Sequence, residues 1–367
     1  MKIHNKLIPA SLLLIAGAAC AQSNVTVYGS LDAGVSSFND ELGGRSTKVD
    51  TGNRSPNRLG FRGSEDLGNG IRAIFLLEAG YNVDDGQLKR SNTLFNRNAW
   101  VGLAGSAGTL TAGHMPDFMY DYLRYTANGF QKSVYFNHPG NLDNQANSFQ
   151  VDNAVKYETP SMGGFTFGAM NGLGEQVDSF NKGRTYSLGM RYVKDNLLGG
   201  VAYTVSNNRA LTLGSSLGIG SLLGQTLTRE AGTPGATYTS FAASQVKSAG
   251  ITAGYKFGTI TPHAMYSQIK LVAGNTATMR NAEVGADISL TATNTFGLSV
   301  ATSRLEQARW HQLNLIDTIA LSPRTFIYAA GAIQRASGGG VHAVIFTAAP
   351  AGGQLQRVVR LGIDHLF

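Results

Sequence analysis

The chain has 367 residues, a formal charge of +7 and one cysteine, Cys20. That charge is too small to argue for a nucleic-acid partner, and a lone cysteine cannot close a disulfide within the chain. Glycine is abundant at 46 residues, nearly twice ordinary usage, and proline is scarce at nine, a balance that suits many strands joined by tight bends.

Residues 1–21 have the anatomy of a secretory signal peptide. Lys2 and Lys6 give a positive start, the stretch from Leu7 to Ala18 is apolar apart from Pro9 and Ser11, and Ala19-Cys20-Ala21 matches an A-x-A cleavage site. Cleavage there removes the cysteine and leaves residues 22–367 as one exported unit. No later segment holds some 18 consecutive apolar residues, so no membrane helix is expected. Two classes remain. One is a secreted or surface β-protein, such as an adhesin. The other is an outer-membrane barrel, whose apolar residues alternate with polar ones.

Alternation begins at once. Val25, Val27, Leu31, Ala33 and Val35 share one face of an extended strand, with Thr26, Tyr28, Ser30 and Asp32 opposite. On the next strand Arg58 and Arg62 are four apart and so share a face. On the third, Ile71, Ala73, Phe75, Leu77, Ala79 and Tyr81 lie together, while Arg72 and Glu78 face the other way. Arg97 begins the fourth. Isolated charges on the polar face do not suit a sandwich core; they suit a wet interior.

After this strand pair comes His114-Met115-Pro116-Asp117-Phe118-Met119-Tyr120-Asp121. Pro116 suits a first helical turn and Asp117 favours a helix N-terminus. Asp117 and Asp121, at i and i+4, would lie on one side of such a helix.

Short connections at 66–70, 105–108, 161–164, 194–196, 257–259, 291–294 and 322–324 alternate with longer stretches. The longer ones cover 38–55, 82–92, 115–149, 175–183, 207–246, 272–279, 305–308 and 338–354. The count is about sixteen strands, with short turns at the periplasmic end and long loops outside. The stretch 207–246 is long enough to hide a strand. Aromatic residues near strand ends, among them Tyr157, Phe165, Phe167, Tyr192, Tyr255, Phe257, Tyr328 and Phe367, read as interface girdles, and Trp100 and Trp310 as lipid- or interface-facing. At the end, Val359, Leu361, Ile363, His365 and Phe367 face one way, and Arg360, Gly362 and Asp364 the other. An open edge here would be an aggregation hazard, and pairing with the first strand removes it.

Six segments in order resemble the trimeric general-diffusion porins of Gram-negative bacteria, in particular the β-proteobacterial (Burkholderia/Neisseria-type) group. They are VTVYGSLDAGV from Val25, NRLGFRGSEDLGNGIRAIFLLE from Asn57, LFNRNAWVGLAGSAGTLTAG from Leu94, NAVKYETPSMGGFTFG from Asn153, YSLGMRY from Tyr186, and the last strand. The resemblance implies an all-β, 16-stranded antiparallel transmembrane barrel in the outer membrane, with a third outer loop folded into the lumen. It also implies a homotrimer among outer-membrane lipid and lipopolysaccharide. Phe367 resembles the signal read by the barrel-assembly machinery.

In the related porins, arginines matching Arg58 and Arg97 form a basic wall; Arg62 and Arg72 are further candidates. Asp117 and Asp121 resemble the acidic side of the eyelet. Four departures thin the basic side: His114 and Gln150 stand where arginine is usual, and Asp364 and Leu366 where basic residues are common. The expected function is passive diffusion of small hydrophilic solutes and ions, weakly anion-selective or nearly non-selective. A substrate-specific porin is the alternative. Scattered histidines and the lack of an H-E-x-x-H or G-x-S-x-G motif give no sign of an enzyme, metal or cofactor.

Overall fold

The computed structural model describes residues 24–129 and 132–367. The leader expected over residues 1–21 lies outside them. Sixteen strands run antiparallel around a closed barrel. They are β1 (Asn24–Glu41), β2 (Arg58–Gly68), β3 (Ile71–Gly80), β4 (Asn98–Gly105), β5 (Gly108–Pro116), β6 (Gln150–Glu158), β7 (Phe165–Gly172) and β8 (Thr185–Lys194), then β9 (Leu197–Leu211), β10 (Phe241–Tyr255), β11 (Ile260–Ala273), β12 (Asn275–Ser289), β13 (Asn294–Leu305), β14 (Ala308–Ala320), β15 (Thr325–Ser337) and β16 (Leu355–Leu366). One further strand, Gly44–Thr51, folds back on the outer half of β1.

The period of two produces the two faces. Val25, Val27, Leu31 and Val35 are exposed outward, while Ser30, Asp32 and Ser36 are fully buried inward. The tight end of the barrel shows why its connections stay short. Asn69 and Gly70, between β2 and β3, both have positive φ, as a two-residue hairpin turn of the favoured twist requires. At the other end the connections are uneven. No barrel strand is hidden in 207–246: β9 runs to Leu211, then come a short helix (Leu213–Leu217) and a two-strand ribbon before β10. The expected long stretches at 272–279 and 305–308 shrink to Gly274 and to 306–307, because the alternation continues almost to the turn.

Closure joins β16 to β1 from Ser30↔Leu366 to Phe38↔Val358. Gly29 and Phe367 exchange backbone hydrogen bonds at 3.0 and 3.1 Å. Turn-end aromatics stack in small groups: Phe165 with Tyr192 at 4.6 Å and Tyr255 with Phe257 at 4.3 Å between ring centroids. Tyr328 is not part of a girdle. It faces inward, is buried, and donates its hydroxyl to Asp32 at 2.9 Å. Trp310 likewise faces inward, among apolar residues that loops 212–240 and 338–354 lay over the outer mouth, and donates to the His342 carbonyl at 3.2 Å. Trp100 lines the lumen. Parity tells inward from outward but not which inward sites a loop will cover.

The seam leaves no room at Gly29. A Cβ there would lie 2.4 Å from both the Arg58 carbonyl oxygen and the Phe367 ring. Gly29→Leu is therefore expected to destabilise closure by about 1–3 kcal/mol. The measurement is the temperature at which the compact band converts to the unfolded one on an unheated-versus-heated gel. An unchanged conversion temperature would show that the seam yields.

Candidate functional site

The lumen of a sixteen-stranded barrel is too wide for wall side chains to fill. Here the segment between β5 and β6 crosses it. A short helix (Phe118–Leu123) starts where Asp117 caps it, accepting from the Tyr120 amide at 3.2 Å. Asn144 donates to the same carboxylate at 2.9 Å, and burial pushes the Asp117 carboxyl up. Phe118, Met119, Tyr122 and Leu123 bury one side of the helix against the wall. The wall accepts it because glycines face it. A Cβ at Gly200 would lie 2.6 Å from the Tyr122 carbonyl oxygen, and one at Gly168 only 2.2 Å from the Phe118 ring.

The loop then reaches the far wall. Val134 donates its amide to the Asn53 carbonyl at 2.7 Å, and the Tyr135 hydroxyl donates to Ser36 at 2.9 Å and also bonds Asp50. Gln312 on β14 donates to the Tyr135 carbonyl at 2.7 Å. His138 lies between two carboxylates, with Nδ1 2.7 Å from Asp143 and Nε2 3.3 Å from Glu283 on β12. Asp143 also accepts from Ser267 at 2.6 Å and from Asn281. Burial alone would pull the His138 imidazolium down, but the two carboxylates outweigh it and hold its pKa at about 10.

What remains open between loop and wall is a cavity of about 590 Å³. Five basic side chains line it (Arg54, Arg58, Arg97, Arg124 and Lys156), against three acidic ones (Glu78, Asp121 and Glu158). The two signs interleave. Glu78 on β3 lies 2.6 Å from Arg97 and 3.8 Å from Arg58, and accepts from the Tyr28 hydroxyl at 2.7 Å. Asp121 on the loop helix meets Lys156 of β6 at 2.6 Å and Arg124 at 3.1 Å. Glu158 accepts from Tyr122 at 2.8 Å. Each wall thus carries both charges.

The sequence candidates separate on this geometry. Arg58, Arg97 and Asp121 line the cavity; Arg62, Arg72 and Asp117 do not. Arg62 is exposed and stacks over Tyr28 at 5.4 Å, nearer the tight turns, and Arg72 pairs in register with Asp66 beside the turn itself. Asp117 is consumed as a helix cap. Arg360, which inward parity makes a lumen cation, is fully buried and bound to Asp32 at 3.0 Å and to Asp50. Asp364 is equally buried and bound to Arg54 and Ser55. Lys156 and Glu158 were missed, although Val155 and Tyr157, which alternate with them, are exposed outward and give their parity. Arg54 had no such signal, because it sits in a loop.

The His138 pair gives a pH test. A raised pKa means its contribution is complete below the ordinary value of 6.5, declines above it, and is lost as pH rises through about 10. His138→Gln is expected to cost about 3–5 kcal/mol near neutrality, since it leaves two buried carboxylates without a counter-charge. Thermal unfolding in detergent, followed by tryptophan fluorescence, should show parent and variant converging above about pH 10. A constant gap across that range would refute the charged state of His138.

A sequence profile described as Gram-negative porin matches residues 10–339. An outer membrane porin protein of Bordetella pertussis is 30% identical over 238 residues, 56% of this chain and 60% of that protein. Outer membrane porin protein 32 of Delftia acidovorans is 30% identical over 240 residues, 59% of this chain and 67% of that protein. The chain thus matches about three-fifths to two-thirds of the length of these relatives. In structure it is similar to the anion-selective porin from Comamonas acidovorans, with a TM-score of 0.75 at 24% identity, covering 94% of this chain and 100% of that one.

Proposed function

Since the chain belongs to the Gram-negative porin family, we propose that it forms a water-filled channel in the outer membrane for passive diffusion of small hydrophilic solutes and ions. Family and fold point to a channel rather than an enzyme. The observation that carries the reading is the opening left between the third outer loop and the wall, lined by eight charged side chains of both signs.

Arg58 and Arg97 act as basic wall residues and Asp121 as the loop's acidic one. Arg62 and Arg72 contribute to the potential below the narrowest part. Residues 1–21 direct export, and residues 22–367 form the barrel. The working form is a homotrimer that packs through the outward faces of β16 and β1–β4. Support comes from the lack of any charged side chain at outward positions Val25–Val35, Leu59–Gly63, Ala73–Ala79 and Val359–Ile363; the outward Glu65 of β2 lies nearer the tight turn. The remaining outward surface meets membrane lipid and lipopolysaccharide. Phe367 and β16 present the chain to the barrel-assembly machinery.

Selectivity follows from the surplus of basic over acidic groups in the passage. It is small, so the expected preference is weakly for anions or close to none. Arg58 is the most loosely paired of the wall arginines, and Glu78 keeps Arg97 without it. Arg58→Gln should therefore move the reversal potential in a salt gradient toward cations without loss of conductance. Strong cation preference in the parent trimer would overturn the assignment of the basic wall.

A further inference from the structure

Among the described residues, the apolar clusters inside the barrel lie beneath loops. Ile74 and Leu76 of β3 alternate with the inward Glu78, yet belong to none of those clusters. Leu76 pairs in register with Trp100 of β4, and both line the passage. The Trp100 indole donates to Asn98 on its own strand at 3.3 Å, so its nitrogen needs no partner from the lumen. Together they make an apolar shelf in a polar tube. Such a surface, left open to water, gains by taking up an apolar group.

A cation stands beside the shelf. Arg62 of β2 pairs in register with Leu76, so the row across three strands is Arg62, Leu76 and Trp100. No carboxylate lies within 4.0 Å of Arg62 among the described residues. The reason is local. The inward carboxylate of β3, Glu78, already holds Arg97, Arg58 and the Tyr28 hydroxyl. Tyr28 reaches it by lying across Gly60, where a Cβ would be 2.4 Å from the Tyr28 ring. The Arg62 guanidinium stands over that ring at 5.4 Å. An aromatic face holds the cation and leaves its hydrogen-bond donors for another group.

We propose that the passage carries a subsite for aryl-substituted monocarboxylates, with the carboxylate on Arg62 and the ring on Leu76 and Trp100. This rests on the reading of the chain as a channel, and gives one class of solute a place to pause in it. Arg62 and Trp100 are two strand spacings apart, about 10 Å. A ring a few bonds from a carboxylate spans that distance with the reach of the arginine side chain. An inorganic anion gains nothing from the shelf and is served as well by Arg58 or Arg97. A neutral aromatic gains nothing from Arg62. A solute with both groups uses the whole row, and the planar guanidinium fixes a planar carboxylate with two parallel hydrogen bonds. One unpaired guanidinium matches one carboxylate, not a polyphosphate.

The test uses the full barrel in a planar bilayer, with hydrocinnamate, a phenyl ring two methylenes from a carboxylate, as the probe. It should block single-channel current saturably. Propionate, which lacks the ring, should bind about tenfold more weakly, and hydrocinnamamide, which lacks the charge, about fivefold. Arg62 is exposed and has no carboxylate partner, so Arg62→Gln should fold, as checked by heat-modifiable migration. It should weaken hydrocinnamate about fivefold and leave the amide unchanged. Leu76→Ser should weaken hydrocinnamate and leave propionate unchanged. A second readout does not depend on conductance. The chain has two tryptophans, and Trp310 is buried beneath the outer loops. Hydrocinnamate should therefore shift Trp100 emission in detergent with the same half-saturation, and Trp100→Phe should abolish the shift. Equal block by propionate and hydrocinnamate would overturn the proposal, and so would an Arg62→Gln barrel that binds the probe as the parent does. If the parent itself conducts nothing, the channel reading fails, while the emission titration still decides the subsite.

Discussion

A sheet placed in hydrocarbon cannot leave backbone donors and acceptors unpaired, and the rest of this structure depends on how the last edge is removed. β16 pairs with β1, while β1 also pairs with β2 and with the returning strand Gly44–Thr51. The seam ends where the Phe367 ring lies on Gly29. Once sixteen strands are closed, the circumference is set, and with it a lumen that wall residues cannot fill. The interior problem is then the reverse of a soluble protein's: the chain must narrow a space, not pack one.

It does so by apolar burial inside a polar tube. Among the described residues, three separate apolar clusters lie within the barrel, each beneath a loop that it pins. The third outer loop is pinned twice, by the apolar side of its helix at one wall and by the His138 pair at the other. Glycine abundance, which in the sequence reads as turn chemistry, has this second use. At Gly168 and Gly200 it lets a helix backbone approach the sheet closely enough to leave the opposite side of the lumen open.

Alternation made the strands, the closing pair and the inward arginines legible, because each depends only on parity along an extended chain. Parity stops at the wall. Tyr328 and Trp310, read as girdle and lipid-facing residues, and Arg360, read as a lumen cation, all turn inward, and each is covered by groups distant in sequence. Asp117 and Asp121 were placed together by helical spacing, yet one sits at the N-cap and the other at the surface of the passage, since the helix begins one residue later than that spacing assumes. The loop contribution of Arg54 had no periodic context from which it could be read.

The same point bears on ion preference. Counting basic positions against related sequences suggests a depleted wall, through His114, Gln150, Asp364 and Leu366. The depletion is smaller than the count. Asp364 is fully buried and bound to Arg54, so it presents no free charge, and His114 is bound to Asp152. Within the passage each of two carboxylates serves two cations: Glu78 serves Arg97 and Arg58, and Asp121 serves Lys156 and Arg124. Every such trio carries a net positive charge spread over a few ångströms, not a positive wall facing a negative one. In the proposed channel a permeating anion would therefore meet shallow attraction from both sides, and a cation would meet a carboxylate already occupied. On that proposal, selectivity would depend on how the carboxylates are shared, which no count of arginines records.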